Sequence, residues 1–187
     1  MTVVYLCRHG ETALNADGRL RGLADPDLDA VGRRQADALA GALADSGTGL
    51  VVSSPLARAR QTATLIAGAL GVAPEVDDGF NDRDYGEWTG QVKSEVIARF
   101  GSVDAAPGVE ASADVLARAR PTLDKWADRA DARGCPVAVV THDAVIRPLL
   151  VQFGVADDDL TVRTASYQIL DRTDGAWTVR ELDILPD

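Results

Sequence analysis

The sequence predicts an α/β fold, a three-layer α/β/α sandwich whose mostly parallel central sheet includes an antiparallel strand from the C-terminal end of the chain. Three observations support this prediction. Short apolar strands alternate with helical segments, which is typical of parallel βαβ units. The strand predicted at 136–141 is apolar, as expected for a strand buried on both faces. Segments at 166–170 and 177–182 alternate between apolar and polar residues around Asp174-Gly175, which predicts a hairpin.

The other elements are predicted from apolar periodicity and from residues that favour helix ends. In chain order they are a strand at 2–8, a helix at 30–44, a strand at 50–53, and helices at 56–70, 91–100, 110–133 and 142–154. Asp29 is placed to cap the first helix and Gly71 to end the second. Pro121 predicts a kink in the long helix or its division into two. The polar, glycine-rich segments 9–26 and 80–90 are predicted to be functional loops.

Composition limits the possible classes of function. The chain has 187 residues, of which 46% are hydrophobic, and this is enough for the core of one domain spanning 1–187. No apolar run is long enough to span a bilayer and no cleavable leader precedes the first strand, which predicts a cytoplasmic location. The formal charge of −10 disfavours nucleic acid and membranes as partners, because both require a basic face. An anionic substrate would need local positive charge.

The chain contains two histidines, and each follows the end of a predicted strand. Ligands of open α/β sheets collect at the carboxyl ends of the strands, so we expect His9 and His142 to share one pocket. We interpret His9 as a nucleophile and His142 as its partner. The alternatives are two structural histidines or two ligands of a metal ion. A metal site is disfavoured because neither histidine has a second His or Cys at a short spacing.

Arginines near the histidines suit chemistry on a phosphoryl group. Arg8 precedes His9, and Arg58 lies in the first turn of a helix that follows a strand, so both can face one anion. Phosphoryl transfer needs neutralised oxygens and an in-line nucleophile, which a neutral imidazole supplies. His142, at a helix start, can donate to a phosphoryl oxygen. Arg60, on a different helical face, is predicted to be a solvated charge or part of a salt bridge.

A carboxyl group near the pocket mouth is needed to protonate the leaving oxygen. Asp82, in the loop at 80–90, is the candidate, with Asp84 and Glu87 as rivals that spacing alone does not separate. Tyr85 lies in the same glycine-flanked loop and is a candidate for lining the pocket.

Three motifs in the same order resemble the histidine phosphatase superfamily, whose fold is phosphoglycerate mutase-like. They are Arg8-His9-Gly10-Glu11-Thr12, the segment from Ser54 to Ala63 (Ser-Pro-Leu-Ala-Arg-Ala-Arg-Gln-Thr-Ala), and Thr141-His142. The resemblance implies that His9 is phosphorylated and that Asp82 is the proton donor and later the base. It implies that the phosphoryl group is held by Arg8, Arg58 and His142. It also implies that no metal or cofactor is needed, and that Asn15, Gly22 and the main chain around Arg21 contact the substrate.

The sequence departs from the common pattern of the superfamily at three positions. Asp82 stands where Glu is frequent, which shortens the reach of the carboxyl group by one methylene. Asp143 stands where Gly is frequent and is expected to cap the helix rather than point into the pocket. Arg21 stands where phosphatases often have Gln, and an inward-pointing Arg21 would favour a substrate with a second acidic group.

The superfamily implies phosphomonoester hydrolysis or phosphoglycerate mutase activity, depending on whether water or a second hydroxyl receives the phosphoryl group. The segment 102–109 is short and contains no Arg or Lys, whereas the mutases carry paired arginines in a longer segment there. This favours a phosphatase acting on a small phosphorylated substrate, with a mutase as the alternative. A domain that binds phosphorylated ligands without turnover is a third hypothesis, motivated by Asp143. The sequence does not indicate an oligomeric state.

Overall fold

A computed structural model of the chain describes residues 1–157 and 160–186. Within these residues, six strands form one mixed sheet: β1 (Thr2–Arg8), β2 (Leu50–Ser53), β3 (Pro74–Val76), β4 (Val137–Thr141), β5 (Tyr167–Thr173) and β6 (Ala176–Ile184). Their order across the sheet is β3-β2-β4-β1-β5-β6. The first four strands in this order are parallel to one another, and β5 is antiparallel to both of its neighbours. The predicted α/β fold with an antiparallel C-terminal strand is confirmed.

Helices cover both faces of the sheet. They are α1 (Ala13–Ala16), α2 (Ala30–Leu43), α3 (Ala57–Leu70), α4 (Lys93–Phe100), α5 (Ser112–Arg133) and α6 (Asp143–Gln152). Successive residues of β4 point to opposite faces, so Val137 and Val139 pack in the core with α5 and α6. Ala138 and Val140 pack in a second core with α2 and α3. The predicted three layers are therefore present.

Most helix ends follow the predicted signals. The carboxylate of Asp29 accepts a hydrogen bond of 2.7 Å from the N–H of Gly32 and caps α2. Gly71 ends α3 in the left-handed conformation, with φ of 69°. Pro121 does not divide α5, which is continuous over its 22 residues. Of the two predicted alternatives, division into two helices is therefore wrong. Packing of the apolar face of α5 against the core maintains the helix through the proline.

Two features differ from the sequence prediction. Strand β3 has the sequence Pro-Glu-Val and is exposed along its length, so it lacks the apolar pattern that identifies a strand. It exists because it pairs with β2 at the edge of the sheet. The loop at 80–90 also contains a short 3₁₀ turn, Gly86–Trp88.

The predicted hairpin is confirmed, with Asp174 and Gly175 both at positive φ as its turn requires.

The sheet order brings three chain segments to one edge. β1 lies beside β4, and β4 lies beside β2, all parallel. The residues that follow these strands, His9, His142 and Ser54, therefore emerge side by side at the carboxyl ends. Within 1–157 and 160–186, none of the helices has the length and apolar character needed to cross a membrane.

Candidate active site

His9 and His142 meet at the carboxyl edge of the sheet. Both side chains are fully buried, and their ring centroids are 5.1 Å apart. The main chain holds them there, because the N–H of His9 donates to the carbonyl of Thr141 at 3.1 Å. The structure thus brings together two residues that are 133 positions apart in the sequence (142 − 9).

The hydrogen bonds of His9 determine which ring nitrogen is free. Nδ1 lies 2.6 Å from the carbonyl oxygen of Gly10. A carbonyl oxygen only accepts hydrogen bonds, so Nδ1 must carry the proton. Nε2 of the neutral ring then has a lone pair, and it is buried without a hydrogen-bond partner among the described residues. This is the geometry of an imidazole nucleophile.

The turn that carries His9 is fixed by the helices on one side of the sheet. The N–H of Gly10 donates to Oγ1 of Thr62 on α3 at 3.2 Å. The N–H of Glu11 donates to the side chain of Gln35 on α2 at 2.9 Å. A Cβ atom on Gly10 would lie 2.4 Å from the carbonyl oxygen of Gly32, so only glycine allows this approach.

Arg58 and Asp82 form a buried ion pair beside the histidines. Nη2 of Arg58 donates to Oδ2 of Asp82 at 2.8 Å and to the carbonyl of Gly22 at 2.9 Å, and Nη1 donates to the carbonyl of Ala24 at 2.8 Å. The same Asp82 oxygen lies 3.5 Å from Nδ1 of His142. The carboxylate therefore lies between a guanidinium and an imidazole, both of which can bind a phosphoryl oxygen.

The site favours neutral imidazoles. Burial lowers the pKa of His9 well below its usual 6.5, and the neighbouring His142 and the positive charges of Arg58, Arg8 and Arg21 lower it further. Burial is also the main cause of the lowered pKa of His142, followed by the charges of the surrounding arginines. Both rings are consequently uncharged at neutral pH, as nucleophilic attack by His9 requires.

Arg8 is half-buried next to His9, with an Nη1 hydrogen bond to the carbonyl of Val162 and no described partner for Nε. Burial lowers the pKa of its guanidinium, and the negative charge of Asp143 opposes that effect. Asp143 does not cap α6, because the N-cap is His142 and no side chain makes the capping bond. Its carboxylate instead lies 3.7 Å from Arg147, with Oδ1 buried and without a hydrogen bond in the described part of the chain. The prediction that Asp143 caps the helix is wrong.

Of the three candidate acids in the loop at 80–90, only Asp82 lies next to a histidine. Asp82 is 2% exposed, whereas Asp84 and Glu87 are exposed. Asp84 is used locally, because it accepts a hydrogen bond from the N–H of Gly86 at 2.8 Å. The geometry therefore favours Asp82 over its rivals.

Residues 4–184 match the model of the histidine phosphatase superfamily (branch 1). The chain belongs to the histidine phosphatase superfamily. The predicted family is confirmed.

Relatives within this superfamily include a bifunctional protein, Rv2228c, of Mycobacterium tuberculosis, which is 38% identical over 159 residues. The aligned part is 80% of this chain and 43% of that protein, so the chain spans less than half the length of this relative.

Two solved structures confirm the phosphoglycerate mutase-like fold. A mycobacterial glucosyl-3-phosphoglycerate phosphatase in complex with VO3 has a TM-score of 0.85 and 27% identity, covering 98% of this chain and 99% of that one. A phosphoglycerate mutase from Bacillus anthracis has a TM-score of 0.86 and 25% identity, covering 97% and 92%.

Four residues were predicted to contact the substrate, and the structure shows a contact between two of them, Gly22 and Tyr85. Gly22 has a positive φ of 50°, and a Cβ there would lie 2.9 Å from the Tyr85 ring, so these two residues are in close contact. Asn15 forms a capping box with Thr12 at the start of α1, which uses its side-chain oxygen. Arg21 is half-buried, and its Nε has no hydrogen-bond partner among the described residues.

Sequence reasoning missed the pair that supports the Asp82 loop. Arg118 on α5 donates to the main-chain carbonyls of Asn81 at 2.7 Å and Asp82 at 3.0 Å. Its Nε donates to Glu110 at 3.0 Å, and the second oxygen of Glu110 accepts from the N–H of Asp84 at 3.0 Å. Arg118 lies in a helix rich in other charged residues, so no local pattern distinguishes it.

A cleft of about 650 Å³ adjoins the site and is lined in part by Asp82. Its other ionisable lining residues are four carboxylates and one arginine: Asp78, Asp84, Glu110, Asp114 and Arg118. This cleft offers acceptors to hydroxyl groups and repels anions. In the described part of the chain, no three His, Cys, Asp or Glu side chains are grouped to hold a metal ion.

Proposed function

We propose that this chain is a metal-independent phosphomonoester hydrolase that acts through a phosphohistidine on His9. The observation that carries the proposal is the buried, unpartnered Nε2 of His9, whose lone pair is left free by the bond from Nδ1 to Gly10. In this proposal Arg8, Arg58 and His142 hold the phosphoryl group of the substrate. The His142 ring lies 5.1 Å from that of His9, and the charges of both arginines act on His9. The reacting unit is the single domain formed by residues 1–187.

In the first step, Nε2 of His9 attacks phosphorus. In the substrate complex Arg58 binds the phosphoryl group in place of Asp82, and the released Asp82 carboxyl group carries a proton. The bond between phosphorus and the ester oxygen breaks, and that oxygen takes this proton, so a free alcohol leaves. The cations of Arg8 and Arg58 neutralise the charge that spreads over the phosphoryl oxygens. The short distance between Asp82 and His142, 3.5 Å, supports a proton donor next to the transferred group.

In the second step, the Asp82 carboxylate accepts a proton from water, and the water oxygen attacks phosphorus. The bond from phosphorus to Nε2 breaks, which releases inorganic phosphate and restores neutral His9 and protonated Asp82. Asp82 thus acts first as an acid and then as a base. The similarity to a phosphatase crystallised with VO3, an oxyanion, supports an anion site in this fold.

The test is release of inorganic phosphate from p-nitrophenyl phosphate, glycerol 3-phosphate and 3-phosphoglycerate in EDTA. We expect turnover by the wild type and none by His9→Ala. Thr64→Ala, a substitution on an exposed face of α3, is the control and is expected to keep full activity. A rapid quench should also trap phosphate on the wild-type protein in a form stable to base and labile to acid. Activity that survives His9→Ala, or that EDTA abolishes, would overturn the proposal.

Phosphoglycerate mutase activity is the second candidate, supported by the similarity to a mutase of Bacillus anthracis. The short segment 102–109 argues against it because it has no Arg or Lys to bind a second acidic substrate. Conversion of 3-phosphoglycerate to its isomer without phosphate release would favour the mutase. Binding of phosphate without either reaction would favour a non-catalytic binding domain.

A further inference from the structure

Arg21 is a half-buried cation that has no partner of opposite charge among the described residues. Its Nε is buried and makes no hydrogen bond, and its Nη1 makes a long one, 3.4 Å, to the carbonyl of Arg19. Within 1–157 and 160–186, no carboxylate forms an ion pair with it, although the chain has 29 acidic residues. A desolvated guanidinium N–H that lacks an acceptor is costly, and a bound anion would remove that cost.

The main chain holds Arg21 close to the proposed proton donor. The carbonyl of the next residue, Gly22, accepts a hydrogen bond from the same Arg58 nitrogen that binds Asp82. The preceding residue, Leu20, exchanges main-chain hydrogen bonds of 2.9 and 2.8 Å with Gln91 and Gly90. Arg21 is therefore on a loop anchored on both sides of it, and its next residue shares an Arg58 nitrogen with Asp82.

The positive charge of Arg21 is close enough to both histidines to affect their pKa values. After burial, it is among the cations that lower the pKa of both His9 and His142. By contrast, the cleft next to Asp82 is lined by carboxylates and repels a distant anion. An anionic group of the substrate is therefore favoured only close to the phosphoryl group.

Building on the proposed function, we propose that Arg21 binds a second anionic group on the alcohol part of the substrate. The substrates are then small phosphomonoesters that carry a carboxylate or a second phosphate a few bonds from the ester oxygen. Either group accepts two hydrogen bonds from a guanidinium, which a hydroxyl group in the same position does not.

The test compares two esters with the same three-carbon skeleton. 3-Phosphoglycerate has a carboxylate where glycerol 3-phosphate has a neutral hydroxymethyl group. We expect the wild type to prefer 3-phosphoglycerate in kcat/KM by about tenfold or more. Arg21→Gln should reduce this preference to about one, and Arg60→Gln, which changes an exposed arginine, should retain it. Propane-1,3-diol bisphosphate tests whether the second group is a phosphate instead.

Calorimetric binding of the same three compounds to His9→Ala and to His9→Ala/Arg21→Gln gives a second readout that does not need turnover. The affinity ratio should fall from about tenfold to about one. Equal weakening of all compounds would assign Arg21 to the transferred phosphoryl group and overturn the proposal, as would an unchanged ratio. If the wild type hydrolyses nothing, the proposed function fails, while the binding ratio still decides the role of Arg21.

Discussion

Ser54 and His142 are joined by a hydrogen bond of 2.7 Å between the hydroxyl oxygen and Nε2. The N–H of Leu56 donates to the same hydroxyl at 3.3 Å. Nδ1 of the ring lies 3.5 Å from a carboxylate oxygen of Asp82, which accepts hydrogen bonds, so we assign the proton of neutral His142 to Nδ1 and the acceptor role to Nε2. Ser54 thereby holds the His142 ring with Nδ1 toward Asp82.

Ser54→Ala should lower kcat/KM by about tenfold, because loss of one hydrogen bond of this kind is worth roughly 1 to 1.5 kcal/mol. Ser53→Ala is a matched control, since the Ser53 hydroxyl is equally buried and has no hydrogen-bond partner among the described residues. Steady-state kinetics with p-nitrophenyl phosphate measure both. An equal effect of the two substitutions would contradict the positioning role of Ser54.

The two imidazoles should not titrate near pH 6.5. Burial and the surrounding cations lower the pKa of His9 and His142 below that value, and the bond to Gly10 places the His9 proton on Nδ1. Because the chain has two histidines, nitrogen-15 NMR of the imidazoles resolves each one. A titration midpoint near 6.5 for His9, or a proton on Nε2 in the free protein, would argue against the nucleophile assignment.

Stability should fall as the pH is lowered through 6.5. The unfolded histidines bind protons below this pH while the folded ones stay neutral, so the unfolded state gains protons and the free energy of unfolding decreases. Each histidine contributes a slope of about 1.4 kcal/mol per pH unit at most. Urea unfolding between pH 7 and 5.5 measures the slope, and His9→Gln should reduce it. A free energy that is independent of pH in this range would contradict the lowered pKa values.

Asp82→Asn should affect esters according to their leaving group. For glycerol 3-phosphate, whose alkoxide needs a proton, kcat/KM should fall by about 10² to 10⁴. For p-nitrophenyl phosphate the fall should be much smaller, because nitrophenolate leaves without protonation. Asp84→Asn is the control, since that carboxylate is exposed and away from the histidines. The same loss with both esters would remove Asp82 as the proton donor.

Arg118→Lys should reproduce the Asp82→Asn pattern at lower amplitude, about tenfold on glycerol 3-phosphate, because lysine cannot keep the hydrogen bonds to both Asn81 and Asp82. Arg120→Lys serves as the comparison, since Arg120 pairs with Asp124 on the same helix. Thermal unfolding measured alongside separates stability from activity. Equal losses with both esters would assign Arg118 a purely structural role.

Much of the candidate site could be predicted from the sequence because its residues follow strands. His9 and His142 each come directly after an apolar strand, and parallel strands place their carboxyl ends together. Asp82 could only be narrowed to three carboxylates, since loop residues have no periodicity that gives their direction. The folded structure distinguishes the three carboxylates by burial, because the loop packs against α5 and β4 and only Asp82 is buried there.

Other contacts arise only between segments that are far apart in the chain. The bonds from Arg118 to the main chain of Asn81 and Asp82, and the bond from Ser54 to His142, join residues whose local sequences carry no signal for the partner. The orientation of the Asp143 side chain could not be predicted from local sequence either. A carboxylate at a helix start predicts a cap, but in the folded chain the Asp143 carboxylate lies near Arg8 and Arg147.

The sequence by itself determined the α/β layers, the hairpin and the meeting of two histidines, because hydrophobic period and strand direction are local properties. The tertiary structure decided the proton position on His9, the choice of Asp82 and the lack of an ion-pair partner for Arg21 among the described residues. These depend on burial and on hydrogen bonds a few ångströms long, which only the packed chain defines.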